Sequence, residues 1–538
     1  MSDRLEKNAR TVSLLTGVSR VTGLARDSVL SRLFGAGTLM DAFFFAFLIP
    51  NLFRRLFGEG ALSAAFLPAY SRLNQEDPHV ARQLAAITIA ALIVVLGGLV
   101  IIGEFILFLV SHYQGHESPT VWLLMLLIPY MPMVCTVAIL GAMLHVHGRF
   151  GPTAAAPILL NGCMITAALA VGLSLDQSEM NMRLVTIGAI AGAVLVAGIL
   201  QIAWSLWALY PYVKNKSWLS DSYEQATAAF GDVLRKALPM VLGLGVLQLN
   251  VFIDGLIASY PTTIGPTLFG LNYPLAEGSM ADLSFAQRLY QLPLGVFGLA
   301  IATAIFPLLA KQSNNPKTFN ATIRSGIRLS LFVALPAGAG LILVAQPLAA
   351  TLFQGARFTA EDSSRVAFVL VGYASAIWAY SLVHVLTRAF YARGKVMTPV
   401  KVALWIVGLN FLGNILLIWT PLRVSGLAWS TAFCSVLQAA ILLRLLSHQT
   451  GNIIDKQVCV SWFKSILTTI VMAVVVWLVS LGVGTTTAVW ADALLELVVL
   501  VAAGVTAAFA AAVIFKQPEL WWFLRGQRSG ASSSINQQ

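Results

Sequence analysis

Three arginines fall inside the first two apolar stretches of the chain, where a charge is costly. Arg20 and Arg26 lie in the stretch at 11–35, and Arg54, followed by Arg55, lies in the next at 41–70. A cation at bilayer depth costs at least ~2.5–3.5 kcal/mol on insertion scales, so an ionisable residue there normally faces a cavity or a partner. Two chemistries are open. Several guanidiniums together make a hydrated cationic pocket for an anion. Alternatively, Asp27, Asp41 and Glu59 neutralise them one by one as local ion pairs. Snorkelling to the interface suits Arg10 and Arg32. It fits Arg20, Arg26 and Arg54 poorly, since each has a long run of apolar helix on at least one side. Arg288, inside the stretch at 280–310, joins the pocket candidates, whereas Arg388 and Arg444 lie near helix ends and read as snorkelling.

A second group of polar residues lies later. Asp254 sits deep in the stretch at 237–259 with no base near it in that stretch. A proton or a metal ion is then left to neutralise it. Asn410 and Asn414 are one helical turn apart in the stretch at 399–420. They read either as ligands or as interhelical packing glue. His145 and His147 form a short HxH with no third ligand nearby in sequence. Cys135, Cys163, Cys434 and Cys459 have no paired spacing and read as small core residues. No GxSxG, HExxH, P-loop or CxxC pattern is present, so nothing in the sequence argues for an enzyme.

The elements that hold these residues are membrane spans. Of 538 residues, 58% are hydrophobic and only 11% charged, and mean hydropathy is +0.80. So few charges cannot cover a water-soluble protein of this size. Fourteen spans are expected, near 11–35, 41–70, 84–110, 119–147, 152–174, 184–210, 237–259, 280–310, 326–351, 364–392, 399–420, 425–447, 461–484 and 488–516. The polar start, MSDRLEKNAR, is unlike a cleavable signal, so the first stretch is expected to stay as a helix. Prolines 50, 68, 129, 132, 293, 307, 336 and 347 interrupt the second, fourth, eighth and ninth spans and are expected to kink them.

Orientation follows from the basic residues. Segments on the side of the N-terminus carry most of the lysines and arginines, whereas the other side holds only Arg183, Arg357, Arg365 and Arg423. Both termini are therefore expected in the cytoplasm. The net charge of +11 is then a topology signal against anionic headgroups, and no basic patch interleaved with aromatics suggests nucleic acid.

A faint internal repeat is visible. ARDSVLSRLFG (25–35) resembles IDGLIASYP (253–261), placing Asp27 over Asp254, and SAAFLPAYSR (63–72) resembles ATAIFPLLAK (302–311), placing Pro68 over Pro307. An all-α polytopic fold with two six-helix lobes is expected, an N-lobe at 1–210 and a C-lobe at 237–447 around a central cavity. Two extra helices at 448–516 and a cytoplasmic tail at 517–538 would follow. The joining segment 211–236 contains the start of SYEQATAAFGDVLRKAL, which spaces Tyr223, Ala226, Phe230, Val233 and Leu234 as a short helix on the membrane face.

Residues 19–71, SRVTGLARDSVLSRLFGAGTLMDAFFFAFLIPNLFRRLFGEGALSAAFLPAYS, closely resemble the start of the MurJ (MviN) family of bacterial lipid II flippases. The resemblance continues through AQRLYQLPLGVFGLAIATAIFPLLAK (286–311), LFQGARFTAED (352–362) and FYARGKVMTPVKVAL (390–404). It implies the fourteen-helix fold of the MOP exporter superfamily and an inner-membrane location. The last two helices would line a lipid-tail groove. It implies Arg20, Arg26, Arg54 and Arg288 as substrate-binding residues, with Asp27, Asp41, Arg55, Glu59 and Gln291 in cavity or gating roles. The implied substrate, lipid II, carries a pyrophosphate, and other cell-wall or division proteins are candidate partners. Some family members hold a sodium ion. The matching residues here are Asp254, Asn410, Asn414 and Ser430, with backbone near Gly426, so Na⁺ or H⁺ is the candidate coupling ion. Three positions depart from the enterobacterial pattern: Gln287 and Gln291 replace acids, and Leu48 replaces a lysine. The competing reading is a small-molecule or drug exporter of the same superfamily. Such exporters usually capture cations with carboxylates, whereas this N-lobe pocket is net positive.

Overall fold

The structure, a computed structural model, describes residues 2–58, 60–114, 118–214, 223–483 and 490–525. Glu59, part of the joining segment and the end of the tail lie outside the described residues. Among the described residues the regular structure is helical apart from one hairpin of two two-residue strands. In order the helices are α1 (Ser2–Phe34), α2 (Thr38–Phe53), α3 (Ala61–Glu76), α4 (Pro78–Gln114), α5 (Pro119–Leu127), α6 (Tyr130–Val146), α7 (Gly151–Gly172), α8 (Met180–Val213), α9 (Tyr223–Thr263) and α10 (Ser279–Pro293). They continue as α11 (Leu299–Lys311), α12 (Pro316–Leu343), α13 (Ala345–Phe353), α14 (Ala360–Ala374), α15 (Ile377–Ala392), α16 (Met397–Ile418), α17 (Ser425–Thr450), α18 (Lys456–Val483), α19 (Trp490–Ile514) and α20 (Pro518–Arg525). Single π-helical turns follow α2 (Arg54–Gly58) and α10 (Leu294–Gly298). The hairpin pairs β1 (Thr267–Leu268) with β2 (Leu271–Asn272). Its turn residues Phe269 and Gly270 have φ of 50° and 82°, the left-handed pair that a tight hairpin needs.

Among the described residues nine helices are long and apolar enough to cross a membrane, or ten if the bent pair α14–α15 is one span. The expected spans at 11–35, 41–70, 237–259 and 280–310 are helical but are not among these. The first carries Arg20, Arg26 and Asp27, and the second and fourth are cut by the π-turns into shorter helices. On α4, Val94, Ile101 and Phe105 are exposed, as lipid-facing positions should be.

Several boundaries move for local reasons. Asn315 caps α12, accepting from Lys317 N at 3.1 Å and Thr318 N at 3.4 Å ahead of Pro316. The ninth span therefore starts ten residues earlier than expected and ends at Leu343, where α13 begins a new direction. Pro336 stays inside α12 without breaking it. The fourth span divides between α5 and α6 at Pro129, as its proline suggests. Instead of a separate surface helix at 222–238, one 41-residue helix runs from Tyr223 to Thr263.

The chain divides into two compact units: residues 1–281 with 356–358, and residues 282–355 with 359–538. The boundary expected before residue 237 moves because α9 packs against α2, α3 and α4 of the first unit. In that unit α7 joins α1 to α8, and Phe43, Phe66, Leu123, Leu127 and Tyr130 of α2, α3, α5 and α6 are buried. The second unit centres on Ile305, Phe319, Ile323, Val385, Phe390 and Leu442. There α18 and α19 pair through Met472, Val476 and Leu500.

Candidate functional site

In the first unit, α1 carries the charged turn. Arg20 is half-buried, while Arg26 is 6% exposed and Asp27 1%. Arg26 Nε and Nη2 donate to Asp27 Oδ1 at 2.9 and 2.6 Å. Its Nη1 donates to Asn161 Oδ1 on α7 at 3.0 Å. The same amide donates back to Thr22 Oγ1 at 3.1 Å and to the Ser19 carbonyl at 3.4 Å. Arg26 thus conforms to the ion-pair reading, since an adjacent carboxylate cancels its charge. Arg32 is exposed, as a snorkelling residue should be.

Arg54 and Arg55 sit on the π-turn, half-buried. Such turns widen a helix by one residue and recur at functional sites. Arg54 Nε donates to Asn51 Oδ1 at 3.3 Å, and the Asn51 amide is tied to the Phe47 carbonyl at 2.9 Å. One turn of α2 therefore orients the guanidinium. Close packing of the π-turn on α6 needs Gly58, because a Cβ there would lie 3.0 Å from that of Ala138.

Asp41 is fully buried, and its surroundings are those of a helix cap. Oδ2 accepts from Gly278 N at 2.6 Å and Thr262 Oγ1 at 2.8 Å, and Oδ1 accepts from Ala281 N at 2.8 Å. A carboxylate at the start of α10 satisfies amides that the helix cannot pair internally. Leu48, standing where the enterobacterial pattern has lysine, packs instead on α9: a Cβ at Gly255 would come within 2.5 Å of Leu48 Cδ2. Next to that glycine, Asp254 is 3% exposed and accepts from Asn250 Nδ2 at 3.4 Å.

In the second unit, Arg288 and Gln291 lie one turn apart on α10 and are both exposed within the unit. Gln287 donates its amide to Tyr373 Oη at 3.1 Å. Tyr373 stacks on Tyr290 at 4.5 Å, and Tyr290 leans on Tyr380 at 5.7 Å. The amide that replaces an acid beside Arg288 is thereby a neutral anchor on an aromatic cluster.

The second unit also brings together Asn410, Asn414 and Ser430. Asn414 Nδ2 donates to Asn410 Oδ1 at 3.1 Å, Asn410 Nδ2 donates to Ser430 Oγ at 3.1 Å, and Ser430 Oγ donates to the Asn410 carbonyl at 3.1 Å. These neutral oxygens suit a hard cation, but their mutual hydrogen bonds equally fit packing glue. Asp254 belongs to the first unit. Gly426 lies against the Leu417 backbone, where a Cβ would come within 2.9 Å. No group of three or more His, Cys, Asp or Glu that could hold a metal occurs among the described residues. The HxH is taken up by aromatics: His147 stacks on Tyr212 at 4.2 Å and meets Tyr70 Oη at 3.4 Å, and His145 stacks on Phe150 at 5.0 Å.

Three polar residues emerge that sequence reading passed over. Asn161, 4% exposed on α7, and Asn250 on α9 each interrupt an apolar run (ILLNGCM and LQLNVF). A lone amide in a span was the available signal. Glu519, 1% exposed, is a third: it takes Arg328 at 2.7 Å and Ser461 Oγ at 2.7 Å, fixing α20 to α12 and α18.

The model of the family described as lipid II flippase MurJ matches residues 30–498. A probable lipid II flippase MurJ of Haemophilus influenzae is 30% identical over 86% of this chain and 90% of its own length. The lipid II flippase MurJ of Burkholderia cenocepacia is 29% identical over 81% and 88%. Among solved structures, a lipid II flippase MurJ in an inward closed conformation has a TM-score of 0.75 at 22% identity, covering 94% of this chain and 98% of that one. An inward-facing multidrug resistance MATE transporter of the MOP superfamily has a TM-score of 0.63 at 15% identity, covering 81% and 95%. At those identities the solved structures speak for the fold alone. Matched from residue 30 to residue 498 by the family model, the chain belongs to the lipid II flippase MurJ family.

Proposed function

We propose that this chain is a lipid II flippase of the bacterial inner membrane, carrying the undecaprenyl-pyrophosphate-linked precursor from the cytoplasmic to the outer leaflet by alternating access. Membership of the family is the observation that carries the reading. The residues give it a mechanism. Arg20 on α1 and Arg54 on its π-turn are the pyrophosphate receptor in the first unit, and Arg288 serves the second. A guanidinium stays charged at any cellular pH and offers several donors to phosphate oxygens. The Arg26–Asp27 pair contributes orientation rather than net charge. The apolar surface of α18 and α19, with Phe463, Leu481 and Val505 exposed, suits a polyprenyl tail.

Fourteen spans with both termini in the cytoplasm remain our reading of the topology, supported by the lysine and arginine distribution. Coupling to Na⁺ or H⁺ is proposed on two separate features, the buried Asp254 and the Asn410–Asn414–Ser430 oxygens. Contacts with other cell-wall proteins are part of the same proposal. Drug export has the MATE likeness in its favour, but a guanidinium-rich pocket repels the cations such exporters capture.

Leaflet-resolved labelling of lipid II in cells depleted of this protein tests the proposal. Depletion should leave lipid II confined to the cytoplasmic leaflet, and re-expression should restore it outside. Normal outer-leaflet labelling in depleted cells, with no other flippase active, would refute it.

A further inference from the structure

We infer that Asn161 on α7 is a positioning residue for the pyrophosphate receptor, one that makes the fifth expected span part of the binding machinery. The inference rests on the flippase reading and deepens it. Three hydrogen bonds carry it. The Asn161 carbonyl oxygen takes Arg26 Nη1 at 3.0 Å, while the amide nitrogen reaches Thr22 Oγ1 at 3.1 Å and the Ser19 carbonyl at 3.4 Å. The residue is 4% exposed, so these bonds form away from water.

The chemistry requires an amide. Arg26 gives Nε and Nη2 to Asp27, and its Nη1 faces Asn161, so the acceptor there completes a buried guanidinium without adding charge. The donor side bonds the turn that holds Arg20, from Ser19 to Thr22. One side chain thus sets two things: the Arg26–Asp27 pair stays neutral, and the α1 turn that presents Arg20 is fixed to α7. The backbone of α1 at Gly23 lies against the same amide, with the Gly23 Cβ position 3.5 Å from Asn161 Nδ2, an ordinary contact.

Charge sensitivity separates positioning from mere packing. Asn161→Asp keeps the shape but turns the neutral Arg26–Asp27 pair into a net negative cluster beside Arg20. Asn161→Gln keeps the amide, and Asn161→Leu removes both donor and acceptor. The measurement is binding of undecaprenyl pyrophosphate and of uncharged undecaprenol to the full-length protein in detergent, together with its melting temperature. We expect Asn161→Asp to weaken pyrophosphate binding by about tenfold, the scale of one added charge at short range. Undecaprenol binding should change less than twofold, and Asn161→Gln should recover most of the loss. Asn161→Leu should weaken the pyrophosphate lipid more than undecaprenol. The inference fails if the variants bind pyrophosphate as the parent does, or if both lipids and the melting temperature fall together, which is the signature of packing alone. A parent that binds no pyrophosphate lipid would instead defeat the flippase reading itself.

Discussion

At the scale of single residues, the arginines divide into two classes that look alike in sequence. Arg26 is closed off by Asp27 and Asn161, whereas Arg20 has no ion pair among the described residues. Arg26→Ala should therefore act on folding. It leaves the Asp27 carboxylate buried without its cation, at a cost of about 3–5 kcal/mol. The double variant Arg26→Ala/Asp27→Ala should recover much of the lost melting temperature, because both charges leave together. Equal melting temperatures for Arg26→Ala and the parent would contradict the structural pairing. The presence of charge at bilayer depth was legible from composition and position. Its fate was legible only in part, since Asp27 stands next to Arg26 in sequence whereas Asn161, the acceptor for Nη1, lies 135 positions away in an apolar helix. Gln287 and Leu48 teach the same lesson. Their positions were visible in the sequence, but the contacts of Gln287 with Tyr373 and of Leu48 with Gly255 were not.

At the scale of elements, the faint repeat acquires structural support. Gly58 ends a π-turn ten residues before Pro68, and Gly298 ends another nine residues before Pro307. Each glycine faces the second half of a broken helix: Gly58 meets Ala138 on α6, and Gly298 meets Ser381 on α15. A Cβ on Gly298 would lie 2.6 Å from Ser381 Oγ and 3.3 Å from Ser381 Cβ. Overpacking of this kind typically costs about 1–3 kcal/mol. Gly298→Ala should lower the melting temperature and slow transport, and adding Ser381→Gly should restore both. A Gly298→Ala variant with the parent's stability would show that the π-turn accommodates the methyl and that the close approach is unimportant. Pro129 and Pro293 mark the breaks in the fourth and eighth spans, whereas Pro50, Pro68 and Pro307 stay inside α2, α3 and α11. The 42° bend between α14 and α15 has no proline behind it, so pattern reading missed it.

At the scale of the whole molecule, composition carried the most information. A chain this apolar reads as a polytopic membrane protein, and nine helices among the described residues are long and apolar enough to cross a membrane. Lobe boundaries were less legible, because α9 follows the joining segment in sequence yet packs with the first unit. The account's central claim is that guanidiniums at bilayer depth, Arg20 and Arg54 foremost, carry a pyrophosphate headgroup across. Purified protein in liposomes, with labelled lipid II loaded in one leaflet, tests this most directly by the rate at which the label reaches the other. The account predicts transfer well above protein-free liposomes, lost in Arg20→Ala and Arg54→Ala although both variants insert and melt like the parent, and poorly rescued by lysine at either position. Transfer at the parent rate by either alanine variant would contradict it.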